Sequence, residues 1–101
     1  AWMSRKLIYR DEADADIAES MRWYRQRQAG LDERFLNEVE ACVKYIVQFP
    51  KGCQIVYKRY RQAPLDGFPF VIIFEVFDDA IVVYRVFHTS QDPKKKFKKR
   101  K

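Results

Sequence analysis

Residues 68–93, FPFVIIFEVFDDAIVVYRVFHTSQDP, decide the fold class of this chain. The stretch contains two runs rich in Val, Ile, Phe and Tyr, the residues that strands favour. Asp78 and Asp79 lie between the runs, and two short polar residues are typical of a hairpin turn. A polar segment begins at His88 and ends the second run. The sequence therefore predicts a β-hairpin near the end of the folded domain.

Both faces of the predicted hairpin are apolar, because alternate side chains of a strand point to opposite sides. One face is predicted to carry Phe70, Ile72, Phe74, Val76, Ile81, Val83 and Phe87. The other face is predicted to carry Val71, Ile73, Val82, Tyr84 and Val86. The chain has few other elements to cover two such faces. We therefore expect a partner to cover one of them.

The N-terminal half of the chain predicts a short strand and two helices. Residues 5–10, RKLIYR, read as the strand, and Asp11 is expected to cap the helix that follows. Apolar residues at helical spacing continue to Gly30, which is expected to end this helix. A second helix is predicted over 31–49 and is stopped by Pro50. The short connection predicts an antiparallel helical hairpin.

One more strand is predicted over 54–61, QIVYKRYR, before a loop at 63–67. The predicted order is therefore β-α-α-β-β-β. Helices gathered at the front and strands at the back indicate an α+β fold. We expect the helical hairpin to pack on a mainly antiparallel sheet of four strands.

Charge divides the 101-residue chain into a single domain, residues 1–93, and a basic tail, residues 94–101. The net charge is +6, but the tail holds seven of the twenty basic residues, and the remainder has 13 basic against 14 acidic residues. A solvated tail is one interpretation, and contact with a nucleic acid or another polyanion is the other. The candidate contacts are Lys94, Lys95, Lys96, Lys98, Lys99, Arg100 and Lys101.

Several classes of protein are disfavoured by what the sequence lacks. Cys42 and Cys53 have no further Cys or His at ligand spacing, so we predict two free thiols, no metal and no cofactor. No apolar run reaches 18 residues and no signal-peptide pattern is present, which predicts neither a membrane span nor export. Reduced thiols in a chain without such signals predict a cytoplasmic protein.

Two segments carry a resemblance to a known family. Residues 67–76, GFPFVIIFEV, contain an aromatic-Pro-aromatic strand start, and residues 81–88, IVVYRVFH, end a strand in hydrophobic-Arg-Val-hydrophobic-His. Further matching features are Asp11-Glu12-Ala13 at a helix start, Phe35-Leu36, Phe49-Pro50 and Asp92-Pro93. In this order the chain resembles the RelE/ParE superfamily of bacterial toxins from type II toxin–antitoxin systems, and the ParE-like, plasmid-stabilisation type in particular.

The resemblance implies a toxin that a cognate antitoxin holds inactive by covering its concave sheet surface. It implies antitoxin contacts at Val71, Ile73, Tyr84 and Val86, on the second predicted face. It also implies two classes of target. ParE-like members act on DNA gyrase without cutting nucleic acid, whereas RelE-like members cleave mRNA on the ribosome.

Nuclease chemistry requires cations for phosphate charge and groups that move protons. Arg59, Arg61, Arg85 and His88 are the candidates, although each also suits a structural ion pair, a solvated strand or a hydrogen bond at a strand end. RelE-like members place an arginine in the third strand, where Val71 stands here. We therefore predict a ParE-like toxin that binds its target, with gyrase as the candidate that the resemblance implies. An mRNA interferase is the alternative, and an inactive relative is a third.

Overall fold

Two helices and a five-stranded sheet make up the part of the chain, residues 5–91, that the computed structural model describes. The helices are α1, Asp11–Arg27, and α2, Leu31–Gln48, followed by a short 3-10 turn, Pro50–Gly52. The strands are β1, Lys6–Tyr9; β2, Gln54–Tyr57; β3, Tyr60–Pro64; β4, Phe70–Val76; and β5, Ala80–His88. The sheet order is β1-β5-β4-β3-β2. Only β1 pairs in parallel, with β5, so the predicted α+β class and mainly antiparallel sheet are confirmed.

The two helices form the predicted hairpin, and local signals set their ends. Acidic residues occupy the first turn of α1 and basic residues its last, which suits the helix dipole. Asp11 is the first helical residue rather than the cap, since Arg10 holds the cap position. Gly30 does not end α1, which stops at Arg27, but holds the N-cap position of α2 with a φ of 88°, a conformation that glycine adopts without steric cost. No helix between residues 5 and 91 is long and apolar enough to cross a membrane.

The helices bury one face of the sheet and build the main core there. Phe35, Val39, Val43 and Ile46 of α2 recur at helical spacing and face the sheet. They pack with Ala13, Tyr24, Phe70, Ile72, Phe74, Ile81, Val83 and Val86, among others. Aromatic rings concentrate at one end of this core, where Phe35 meets Phe70 with ring centroids 4.9 Å apart. The core therefore fixes how the helices lie across β4 and β5.

The segment predicted as one strand over 54–61 is a second β-hairpin. Lys58 and Arg59 form its turn, and Lys58 takes a φ of 51°. Tyr57 pairs with Tyr60 across the turn, with their rings stacked 6.2 Å apart. The turn lacks the Asn or Gly that usually marks such a hairpin, so composition alone indicated one continuous strand. β3 also takes up residues 63–64 of the predicted loop, and the sheet has five strands rather than four.

A β-bulge at Tyr84 corrects the predicted faces of β5. Ile73 pairs with Arg85 and Phe74 with Val83, so Tyr84 is an extra residue on β5. An extra residue reverses the alternation of side chains that follow it. The predicted faces of Val86 and Phe87 are consequently wrong. Val86 lies in the core beneath the helices, and Phe87 joins Val71 and Ile73 on the opposite face.

Candidate functional site

The sheet face away from the helices carries a second apolar cluster, Val71, Ile73 and Phe87. These side chains are 7%, 0% and 1% exposed, and Tyr60 packs against them. The predicted apolar character of this face is thus confirmed at Val71 and Ile73. Because the cluster is buried, the side chains that reach the surface around it are half-buried neighbours, among them Tyr60 and Tyr84.

Tyr60 and Tyr84 form the rim of this face, and Tyr84 connects the rim to the carboxylate of Glu75. Its ring meets Tyr60 edge-on at 5.2 Å, and its hydroxyl donates to Oε1 of Glu75 at 3.0 Å. Burial, followed by the hydrogen bond to Glu75, raises the pKa of Tyr84 to about 12. Arg59 approaches the other oxygen of Glu75 at 3.7 Å. The rim therefore combines aromatic surface with a hydrogen-bonded carboxylate.

Arg85 joins the sheet to α1 through a carboxylate that sequence reasoning missed. Its Nε donates to Oδ2 of Asp16 at 2.7 Å and its Nη2 to Oδ1 at 3.0 Å. Asp16 Oδ2 also accepts the backbone N–H of Val86 at 3.0 Å. β1 ends at Tyr9, opposite Val83. The N–H of Val86 therefore lies on a part of the β5 edge that β1 does not reach, and Asp16 takes the place of a strand partner there. The structural alternative for Arg85, pairing with an acid, is confirmed. The sequence signal that could have identified Asp16 is an acidic residue at a core-facing position of α1.

His88 ends β5 and is held by the turn that follows it. Its Nδ1 accepts the backbone N–H of Ser90 at 3.0 Å, and Ser90 Oγ lies 2.6 Å away. An acceptor Nδ1 places the ring proton of neutral His88 on Nε2. The ring packs edge-on against Phe70 at 4.9 Å. His88 and Arg85 line one cavity of about 350 Å³, together with Trp23.

Arg59 and Arg61 lie at the other end of the sheet. Arg61 Nη1 donates to the carbonyl oxygen of Cys53 at 2.7 Å. Both arginines line a cavity of about 370 Å³ that also includes Val76, the last residue of β4. His88 pairs with Phe70, the first residue of β4, which is roughly 20 Å away at about 3.3 Å per residue. The four candidate catalytic residues therefore line two different cavities, although Arg61, opposite Phe74, and Arg85, opposite Ile73, are only about one residue apart along β4.

The remaining sequence predictions concern the two cysteines, a metal site and the basic tail. Cys42 and Cys53 are free thiols that line a third cavity, of about 710 Å³. Burial raises the pKa of Cys42 to about 11, with smaller contributions from Cys53 and Glu38. Among residues 5–91 no group of three or more His, Cys, Asp or Glu side chains is placed to hold a metal ion. The candidate polyanion contacts, residues 94–101, lie outside the described residues.

Comparison with known proteins agrees with the fold and its order of elements. The family model described as ParE toxin of type II toxin-antitoxin system, parDE, matches residues 7–93. Toxin ParE2 of Mycobacterium tuberculosis, in strains CDC 1551 / Oshkosh and ATCC 25618 / H37Rv, is 27% identical over 92 residues, covering 90% of this chain and 88% of that protein.

A solved structure supports the same fold. A chain of the chromosomal ParDE TA system from P. aeruginosa superposes with a TM-score of 0.78 at 17% identity, over 88% of this chain and 100% of that one. The family match spans both helices and all five strands of the described structure. The chain therefore belongs to the ParE toxin family of type II toxin–antitoxin systems.

Proposed function

We propose that this toxin stops growth by binding a cellular protein rather than by cutting RNA. The observation that supports the proposal is that the candidate catalytic residues line two different cavities. Arg59 and Arg61 line one cavity, Arg85 and His88 line another, and the two cavities share no lining residue. A phosphate bound in either cavity would therefore meet only two of the four candidates. Arg85 is further committed to Asp16 by two hydrogen bonds.

The position that holds an arginine in RelE-like enzymes supports the same proposal. Val71 stands there, in the second apolar cluster, and is 7% exposed. A buried valine offers neither charge nor a proton to a reacting phosphate. This face therefore suits apolar contact with a protein better than contact with a phosphate.

We further propose that a cognate antitoxin neutralises the toxin by covering the face of the second cluster. Val71 and Ile73 form a floor that is already buried, so the side chains proposed to contact the antitoxin are their half-buried neighbours Tyr60, Val82 and Tyr84. Val86 is not among the proposed contacts, because it lies in the core beneath the helices. A polypeptide with large apolar side chains suits such a floor and rim, as in other strand-lined grooves.

The proposed target is DNA gyrase, on the basis of the family resemblance. The test is induction of the chain without and with its antitoxin, together with a supercoiling assay on purified gyrase. We expect growth arrest and loss of supercoiling, both reversed by the antitoxin. Growth arrest with full gyrase activity would contradict gyrase as the target and leave binding to another protein.

An mRNA interferase is the second candidate, because one cavity combines an imidazole with a guanidinium. His88 and Arg85 line that cavity, and the bond from Ser90 to Nδ1 leaves Nε2 of His88 to face a substrate. Primer extension on translated mRNA tests it. Cuts at codon boundaries that disappear in His88→Ala and persist in Thr89→Ala, an exposed neighbour, would establish the enzyme. Intact transcripts during growth arrest would exclude it.

A further inference from the structure

The end of the sheet opposite His88 contains a cationic cavity that the proposed function does not use. Its volume is about 370 Å³, and it lies between the β2–β3 hairpin and the β4–β5 turn. Four cations and one carboxylate line it, for a formal charge of +3. The lining residues are Arg5, Lys51, Ile55, Arg59, Arg61, Val76, Phe77 and Asp78.

Two of the guanidinium groups are held in place by backbone carbonyls. Arg61 Nη1 donates to Cys53 at 2.7 Å, and Arg5 Nε donates to Phe77 at 2.9 Å. A carbonyl oxygen orients a guanidinium without neutralising its charge. Each guanidinium has five N–H donors, so several remain for an incoming ligand. The cavity thus presents two pre-oriented positive charges.

The other two cations are little neutralised by the protein. Arg59 approaches Glu75 at 3.7 Å with its side chain 75% exposed, an arrangement that contributes little to stability in water. Within residues 5–91, no carboxylate lies within 4.0 Å of the cationic nitrogens of Arg5, Lys51 or Arg61. Four positive charges held close together repel one another, and a multivalent anion relieves that repulsion.

We propose that this cavity binds a phosphate group, supplied either by a free nucleotide or by the backbone of a nucleic acid. Guanidinium groups match phosphate oxygens with paired hydrogen bonds, and the Lys51 ammonium adds a mobile charge. Ile55, Val76 and Phe77 supply an apolar wall beside the cations, where a sugar or base would lie. A second copy of this chain that presented the same cavity would not fit, because like charges would face each other.

The test is calorimetry on the full-length toxin with two probes, inorganic triphosphate and a 5′-phosphorylated single-stranded hexanucleotide. The test variant is Lys51→Gln with Arg59→Gln, two exposed cavity residues that make no hydrogen bond to the core. The matched control is Arg34→Gln with Lys44→Gln, exposed residues of α2 that remove the same charge outside the cavity. Both variants keep residues 94–101, so polyanion binding by that segment is common to them.

We expect the cavity variant to lose about tenfold or more in affinity for triphosphate and the control less than about twofold, because close charge-assisted bonds outweigh distant screened charge. For the hexanucleotide, the slope of log K against log salt should become about 1.4 shallower in the cavity variant. Amide resonances of residues 51–61 and 75–79 should shift on titration with triphosphate.

The two probes separate the sources of phosphate. Binding of both at these resonances indicates recognition of any accessible phosphate, whereas binding of the hexanucleotide alone indicates a nucleic-acid backbone. Equal losses in the cavity and control variants, or no shift at these resonances, would overturn the proposal. Polyglutamate binding as tightly as the hexanucleotide, with the same shifts, would replace a phosphate site with a site for acidic peptides.

Discussion

A single carboxylate, Asp16, connects the first helix to the unpaired edge of the last strand. It accepts two hydrogen bonds from Arg85 and one from the backbone of Val86, and both side chains of the ion pair are largely buried. Removing one partner of a buried pair is costly because the other charge loses its main compensation, even though replacing both can be nearly neutral. Asp16 therefore acts as a junction between elements.

We expect Asp16→Ala to lower the free energy of unfolding by about 3 kcal/mol or more, the range for breaking a buried ion pair. Urea unfolding measured by circular dichroism tests this expectation. Asp14→Ala is the matched control, since Asp14 is an exposed acid on the same helix and should change stability by about 0.5 kcal/mol. Equal effects of the two substitutions would show that the junction contributes nothing specific.

A second prediction at the residue scale concerns the pH dependence of Tyr84. Burial and the bond to Glu75 favour its neutral phenol and raise its pKa to about 12, above the ordinary 10.0. The contribution to stability is therefore complete below about pH 10 and is lost as the pH rises through about 12. Absorbance titration of tyrosinate should show a late phase near pH 12 that Tyr84→Phe removes. Persistence of that phase in the variant would assign it to another tyrosine.

At the scale of elements, the bulge in β5 decides which side chains reach a partner. Without it, Val86 would share a face with Ile73 and Phe87 would lie beneath the helices. With it, Phe87 completes the second cluster, while Val82, which precedes the bulge, keeps its predicted side and is half-buried. One inserted residue therefore redistributes two large side chains between the core and the second face.

This placement predicts opposite consequences for two similar substitutions in β5. Val86→Asp puts a carboxylate in the main core and should lower the free energy of unfolding by more than about 3 kcal/mol, because a buried charge lacks compensation. Val82→Asp, at a half-buried position opposite Glu75, should cost less, about 1 kcal/mol, and should weaken antitoxin binding because Val82 lies on the second face. Thermal denaturation and calorimetry against the cognate antitoxin measure the two effects. Normal stability in Val86→Asp would contradict the bulged register.

At the scale of the whole molecule, apolar recognition and basic charge are divided between different parts of the chain. Residues 94–101 hold seven basic residues, while the rest of the chain is close to neutral. The side chains of the second cluster are already buried, so a partner would cover its half-buried neighbours Tyr60, Val82 and Tyr84, at about 25 cal/mol per Å² of apolar surface removed from water. Exposed charges, by contrast, are screened over about 8 Å at physiological salt. The two parts should therefore act separately.

We expect deletion of residues 94–101 to weaken nonspecific binding to nucleic acid sharply and antitoxin binding only slightly. Calorimetry with the antitoxin and with a mixed-sequence duplex, each at two salt concentrations, measures both effects. The control is Arg34→Gln with Lys44→Gln, which removes charge from α2 and should change neither binding much. Loss of antitoxin binding on deletion would identify the tail, rather than the second face, as the recognition element.

Local patterns in the sequence determined the two helices, the final β-hairpin and the α+β class, because each follows from spacing within a few neighbouring residues, whereas the family was indicated by the resemblance of several motifs in order. The β2–β3 turn was missed since Lys58 and Arg59 carry no turn signal, and the bulge at Tyr84 was missed since register depends on the partner strand. Tertiary structure alone decided the pairing of Asp16 with Arg85, 69 residues apart, and the convergence of Arg5 with Lys51 in one cavity. Such contacts depend on how elements pack, and no window of the sequence contains both partners.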